Sequence, residues 1–340
     1  MKRIFILVTI VLFSVGTMFA DEKVLIDFSK LTADITTSED SEAPDQNQQT
    51  VMDFSGSVGG SYQAQAEALK TSLAITNWEV VLGSSSRTVT NIALSYTVEA
   101  PSKQWDTVLG VRIHFPLDPY NSTARIVPPF SIPAYDYNQA DESGELSPAE
   151  PSEDGTKISR FEDGYGVIKN VGTIKAIAVN VYGLNFPHSL SVIIYDQDGN
   201  EKIIPIGSLA YDGWRELTWS NPQYVSQVRN RELRIFPLYP YSTPYIRFGG
   251  FQVQRDGANI GGDFIAYFKD VKVIYDQAVL ETERDIDDEG IWSIITERES
   301  GRQKYEMSQF GQAQVQRYLD AQRQAKEDTF TPSDGSGDQD

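Results

Sequence analysis

The stretch DTVLGVRIHFPLDP, residues 106–119, limits the fold more than any other part of the chain. Leu109, Val111, Ile113 and Phe115 recur at every second position, Arg112 and His114 stand between them, and Pro116 and Pro119 end the run. A period of two sends successive side chains to opposite faces of a strand, so this segment describes a strand with one dry and one wet face. The same pattern returns along the chain. SLSVIIYDQDGNEKIIPIG (189–207) is two such runs joined by Asp-Gly-Asn, a hairpin turn signal. GDFIAYFKDVKVIYD (262–276) predicts a long strand or a strand pair, and TNIALSYTVEA (90–100) also alternates. FPLDPYNS, VPPFSIPAY and FPLYPYSTPY punctuate the runs. Within this body a helix is expected only over YQAQAEALKTSL (62–73). Many strands with turn-rich joints predict a mainly β fold, an antiparallel β-sandwich of jelly-roll type over residues 21–280.

The core of that sandwich has to stand without disulfides, since the 340-residue chain has no cysteine; a 40% hydrophobic composition is enough for it. The first residues have the form of a secretory leader: a basic MKR, the apolar IFILVTIVLFSVG, then TMFA before the charged DEKV. Cleavage is expected after Ala20. The apolar run is short for a bilayer span, and no cysteine near the junction could carry a lipid, so no membrane anchor is expected. The mature chain is expected outside the cytoplasm. A net charge of −19 with no cluster of Lys and Arg argues against nucleic acid as a partner. Residues 36–49 and 136–154 are acidic without a basic residue and are expected as mobile surface loops. Residues 281–327 form a charged, helix-prone C-terminal extension in which Phe310, Val315, Tyr318 and Leu319 draw a partial apolar stripe, and residues 328–340 are expected to be disordered.

Signals for chemistry are sparse. His114 and His188 are the only histidines, one on the wet side of a strand and one after a proline, and both are expected to be ordinary surface residues, with no metal site. DQDGNE (196–201) spaces oxygen ligands as a calcium loop begins, but lacks the glycine and glutamate of such a loop and falls where a hairpin must turn. No nucleophile elbow or phosphate-binding loop is present, and FGGFQV (248–253) fits a bulge. No enzyme activity and no cofactor are expected. The aromatics say more. In GWRELTWSNPQY (213–224), strand alternation places Trp214, Glu216 and Thr218 on one face and Arg215, Leu217 and Trp219 on the other. Trp219 with Leu217 is expected in the core, leaving Trp214 as a candidate contact residue; if loops cover both sides, both rings are core. Tyr239, Tyr241 and Tyr245, set among prolines, and Trp105 are further candidates, with plain loop packing as the alternative.

The leader followed by VLIDFSKL, then TNWEVVLGSSSRTVTNIALSYTVEA, DTVLGVRIHFPLDPYNSTARIVPPFSIPAY, GVIKNVGTIKAIAVNVYGLNFPHSLSVIIYDQDGNE, YDGWRELTWSNPQYV and FGGFQVQRDG, resembles the spirochaete flagellar filament outer layer (sheath) protein family, FlaA. The resemblance runs from about Val24 to Asp276. It implies a structural, non-enzymatic subunit of the periplasmic flagellum with a galactose-binding-like sandwich. The implied partners are flagellin subunits of the filament core, directly or through their glycans, and neighbouring sheath subunits or other sheath proteins. The implied role is in filament stiffness, shape and cell motility. Two rival readings are a free periplasmic carbohydrate-binding module and a periplasmic hydrolase.

Overall fold

The computed structural model describes residues 21–32, 50–53, 70–134, 137–140, 146–148, 161–232, 244–278 and scattered positions between 285 and 316. The leader, Tyr239, Tyr241, the apolar stripe at 310–319 and the 328–340 tail lie outside the described residues.

Strands in chain order are β1 (Asp21–Asp27), β2 (Met52–Asp53), β3 (Lys70–Thr71), β4 (Glu79–Leu82), β5 (Tyr96–Ser102), β6 (Asp106–Phe115), β7 (Ser122–Val127) and β8 (Tyr137–Ala140). They continue as β9 (Leu146–Pro148), β10 (Val167–Lys169), β11 (Val171–Leu184), β12 (Ser189–Asp196), β13 (Glu201–Ser208), β14 (Asp212–Ser220), β15 (Tyr245–Arg255) and β16 (Gly262–Gln277). One sheet has the order β14-β11-β16-β6-β5, with β1 beside β6 on the same edge of β16. The other has the order β13-β12-β15-β7-β4, with β10 also on β15. Every pairing in these sheets is antiparallel, and sequence neighbours often sit in different sheets, as in a jelly roll. The fold is a mainly β, two-sheet antiparallel sandwich.

Alternation in the sequence becomes burial. In β6, Leu109, Val111, Ile113 and Phe115 are buried, while Arg112 and His114 keep partial access to solvent. Phe268 of the first sheet stacks on Phe251 of the second with ring centroids 4.3 Å apart. Phe28, Phe248 and Trp78 close around this pair, and the Trp78 indole N–H donates to the Leu73 carbonyl at 2.9 Å, so its one polar atom is satisfied inside the core. In FGGFQV the β12–β15 register slips opposite the glycine pair. Gly250 has φ +122°, and a Cβ there would sit 2.1 Å from the Ile126 carbonyl oxygen, so only glycine fits the bulge.

Of the two alternatives for residues 262–276, the long strand holds: they lie within β16. Other expectations are corrected. In TNIALSYTVEA, Thr88 Oγ1 accepts from the Asn91 amide, closing a helical turn over Val89–Ala93, so the strand starts only at Tyr96. The helix expected over 62–73 does not extend through its end: Lys70 and Thr71 pair with β2, and residues 62–69 lie outside the described residues. A helix at Tyr224–Glu232 was not anticipated; Asn221 Oδ1 accepts from the Gln223 amide at 2.9 Å just before it, and Tyr224 Oη donates to Asp276 at 2.8 Å. The acidic segment 136–154 is not wholly a loop, since β8 pairs with β9 inside it. In the C-terminal extension a short helix spans Asp288–Trp292. No described helix is long and apolar enough to cross a membrane.

Candidate interaction face

The cross-strand register of the first sheet sets Trp214 beside Tyr182, Tyr182 beside Tyr267, Tyr267 beside Gly110 and Gly110 beside Val98. Their neighbours along each strand, Val181, Phe268 and Leu109, point into the core, so this row lies on the outer face. Trp214 and Tyr182 meet edge to face at 5.4 Å between ring centroids, and Tyr182 and Tyr267 at 6.0 Å. Gly110 leaves room for the row: a Cβ there would press within 3.0 Å of Val98 and 3.3 Å of the Tyr267 ring.

The hairpin between β5 and β6 adds a second tryptophan. Asp106 adopts a left-handed φ of 56° at the turn, and Trp105 lies 6.4 Å from Trp214, edge to face, across the intervening strands. Its indole Nε1 is buried with no hydrogen-bond partner among the described residues. Beneath it, Lys269 Nζ lies 5.8 Å from the ring centroid and 2.6 Å from Asp27 Oδ1, with Asp270 Oδ2 at 3.5 Å. Asn180 donates to Asp270 Oδ1 at 2.7 Å. Burial pushes the Asp27 carboxyl up, but the hydrogen bonds from Lys269 and Ser29 and the charge of Lys269 outweigh it and hold the group below the usual carboxylate range. This buried polar cluster anchors the hairpin to the sheet. Farther along the same face, Asp263 takes a forked pair of bonds from Arg112, at 3.2 and 2.9 Å, and lies 2.8 Å from His114 Nδ1. Hydrogen bonds from Arg112 and then His114 hold Asp263 low.

The structure thus brings Trp105 and Trp214 together and surrounds them with Tyr182 and Tyr267, which the sequence reading had left unmarked. The signal was present: VNVYGL and FIAYF set an aromatic on the side opposite the buried valines and phenylalanines. Leu217 and Trp219 pack on the core, as the alternation predicts. Tyr245 is different. It opens β15 at 6% exposure, so its ring is packed into the sheet and offers no free surface.

His188 also departs from expectation. It is 3% exposed, wedged against Phe115, Phe186 and Phe264 at the end of the short connection between β11 and β12. Burial first, and then the nearby Arg255 charge, push its pKa down to about 4. Among the described residues no cluster of three or more His, Cys, Asp or Glu is placed to hold a metal ion. In DQDGNE the Asp196 carboxylate accepts from the Asp198 and Asn200 amides, at 3.0 and 2.9 Å, which is the work of a turn.

Solved carbohydrate-binding modules align with part of the chain. A family 61 module in complex with β-1,4-galactotriose covers 58% of this chain and 88% of its own at 8% identity, with a TM-score of 0.27. A family 11 module of a cellulosomal cellulase from Clostridium thermocellum covers 61% and 91% at 12% identity, with a TM-score of 0.26. Likeness this low carries no functional inference. Sequence relatives are far nearer. The flagellar filament outer layer protein of Treponema pallidum (strain Nichols) is 46% identical over 344 residues, 99% of this chain and 98% of its own. That of Spirochaeta aurantia is 44% identical, over 97% and 95%. That of Borreliella burgdorferi is 33% identical, over 69% and 65%. The family model described as flagellar filament outer layer protein matches residues 43–284, and the chain belongs to this family, FlaA.

Proposed function

We propose that this chain is a subunit of the outer layer of the periplasmic flagellar filament, exported by a leader cleaved after Ala20 and assembled over the flagellin core. The observation that carries this reading is the identity of 46% across 99% of the chain with a flagellar filament outer layer protein. The aromatic face supplies the contact. Half-buried rings fixed by their neighbours lose little entropy on binding, and such residues dominate interface energetics. The face meets the core subunits or the glycans they carry, and by covering the core it adds to filament stiffness and shape, and so to cell motility.

Immunogold labelling of isolated periplasmic flagella, with filament diameter measured before and after mild acid stripping, tests this. Label along the filament, lost together with a drop in diameter, is expected. Bare filaments, with the protein free in the periplasmic extract, would contradict it. The second reading, a free carbohydrate-binding module, draws on the same platform of Trp105, Trp214, Tyr182 and Tyr267, since sugars stack on such rings; saturable glycan binding by a protein that never labels filaments would favour it.

A further inference from the structure

Away from the aromatic face, exposed aliphatic side chains gather at one end of the sandwich, where β6 leaves one sheet and β7 enters the other. Ile260 is 91% exposed, Val89 85% and Leu117 76%, with Ile92 and Tyr120 also exposed. Single exposed apolar residues are ordinary; five from three adjoining segments at one end are a patch.

The backbone under this patch is fixed. Arg255 is buried, and its four hydrogen bonds among the described residues all go to main-chain carbonyls: Pro116 at 2.8 Å, Asp118 at 3.1 Å and Asn259 at 3.1 and 2.7 Å. One guanidinium therefore clamps the loop 116–121 to the loop 256–261. The two loops also hold each other: the Gly257 amide donates to Asn121 Oδ1 at 2.8 Å, and a Cβ on Gly261 would lie 1.9 Å from the Pro116 carbonyl oxygen. Tyr120 Oη donates to the Ser85 carbonyl at 2.7 Å, and Asn91 Nδ2 to the Ser86 carbonyl at 2.9 Å, which ties in the segment that carries Val89 and Ile92. Leu117 and Ile260 are thus presented on prearranged loops, the arrangement that lowers the entropic cost of association.

Charge identifies the partner. The chain carries −19 overall, yet the segments 84–95, 116–121 and 256–261 hold only Arg87, Asp118 and Asp256 as charged residues. Two copies repel each other over most of their surface and can approach at this nearly neutral end, where one copy's Arg87 has an acidic counterpart in the other's Asp118 or Asp256. We infer that the end bearing Leu117 and Ile260 is a contact between one copy of this chain and a second copy. The inference rests in part on the coat reading, because a layer of many subunits needs contacts between copies in addition to its contact with the core.

Analytical ultracentrifugation of the purified protein tests it apart from any filament. Concentration-dependent self-association is expected, weakened by roughly tenfold or more in the double variant Leu117→Glu/Ile260→Glu. Thermal melting of that variant should match the parent, because both side chains project into solvent. Arg87→Glu should weaken association by a smaller factor, and Asp118→Arg in the same chain should restore part of it. A parent protein that is monomeric at every concentration, or a double variant that associates as the parent does, overturns the inference; so does binding of the monomer to phospholipid vesicles through these residues. Filament labelling is read separately: its failure removes the coat reading and leaves a measured self-association standing.

Discussion

On the outer face of the first sheet, Trp214, Tyr182 and Tyr267 stand in one cross-strand row under Trp105. On the outer face of the second, Arg125 reaches over β15 and β12 to Glu201, with forked bonds of 3.0 and 2.9 Å, and contacts Gln252 at 3.3 Å. Tyr195 donates to the same glutamate, and the Arg247 guanidinium lies 6.0 Å from the Tyr195 ring. Both faces come from the outward positions of alternating strands and both pair charged groups, Arg112 with Asp263 on the first and Arg125 with Glu201 on the second. The second pair spans the middle strands of its sheet, so a partner there would have to break those bonds before making its own, whereas the middle strands of the first sheet carry the row of rings. The first keeps aromatic surface across its middle strands. A face closed on itself adds order; a face of fixed rings keeps its binding energy for a partner.

What lies between the faces gives the largest effect. Phe268→Ala removes the ring stacked on Phe251 and is expected to cost about 3–5 kcal/mol in denaturant unfolding, with both outer faces lost together. If it were nearly silent, the shared core would not be what holds the two sheets in register.

Acid separates the faces from their support next. His188 stays neutral in the folded chain down to a pKa of about 4, whereas unfolded histidine binds a proton near 6.5. The unfolded state therefore gains protons first as pH falls, and stability drops between about 6.5 and 4 by ~3 kcal/mol, then levels for this group. The depressed carboxylates Asp27 and Asp263 lose their contribution only at lower pH, below their ordinary range. Unfolding free energies measured from pH 7 to 4 should show this slope, and His188→Gln should flatten it.

On the faces themselves, Trp214→Ala is expected to weaken rebinding to acid-stripped filaments by about 2 kcal/mol, roughly thirtyfold, in a co-sedimentation assay. The smallest effect belongs to the closed face. Arg125→Ala should cost no more than about 1 kcal/mol of stability, as partly exposed ion pairs do, and leave filament rebinding unchanged. A reversed ranking of Trp214 and Arg125 would invert the assignment of the faces.

Much of this contrast was legible in the sequence. A period of two separated Trp214 from Trp219 and sorted β6 correctly, because burial on one face leaves no other register. The approach of Trp105 to Trp214 was not legible: it depends on which way a hairpin folds over a sheet, and on strands distant in sequence that become neighbours. His188 was misjudged for a related reason. A histidine after proline reads as a loop residue, yet the aromatic residues that bury it, Phe115 and Phe264, come from strands on either side of it in the chain. TNIALSY shows local competition, since a threonine cap turned an alternating segment into a helical turn before the strand could begin.

Hydroxyl-radical footprinting of intact filaments, set against the same protein released by acid and returned to neutral pH, tests the central claim most directly. The account predicts that Trp105, Trp214, Tyr182 and Tyr267 are protected in the filament while Tyr195 on the second sheet reacts equally in both states. Protection of Tyr195 with the tryptophans still reactive would contradict it and place the contact on the opposite face.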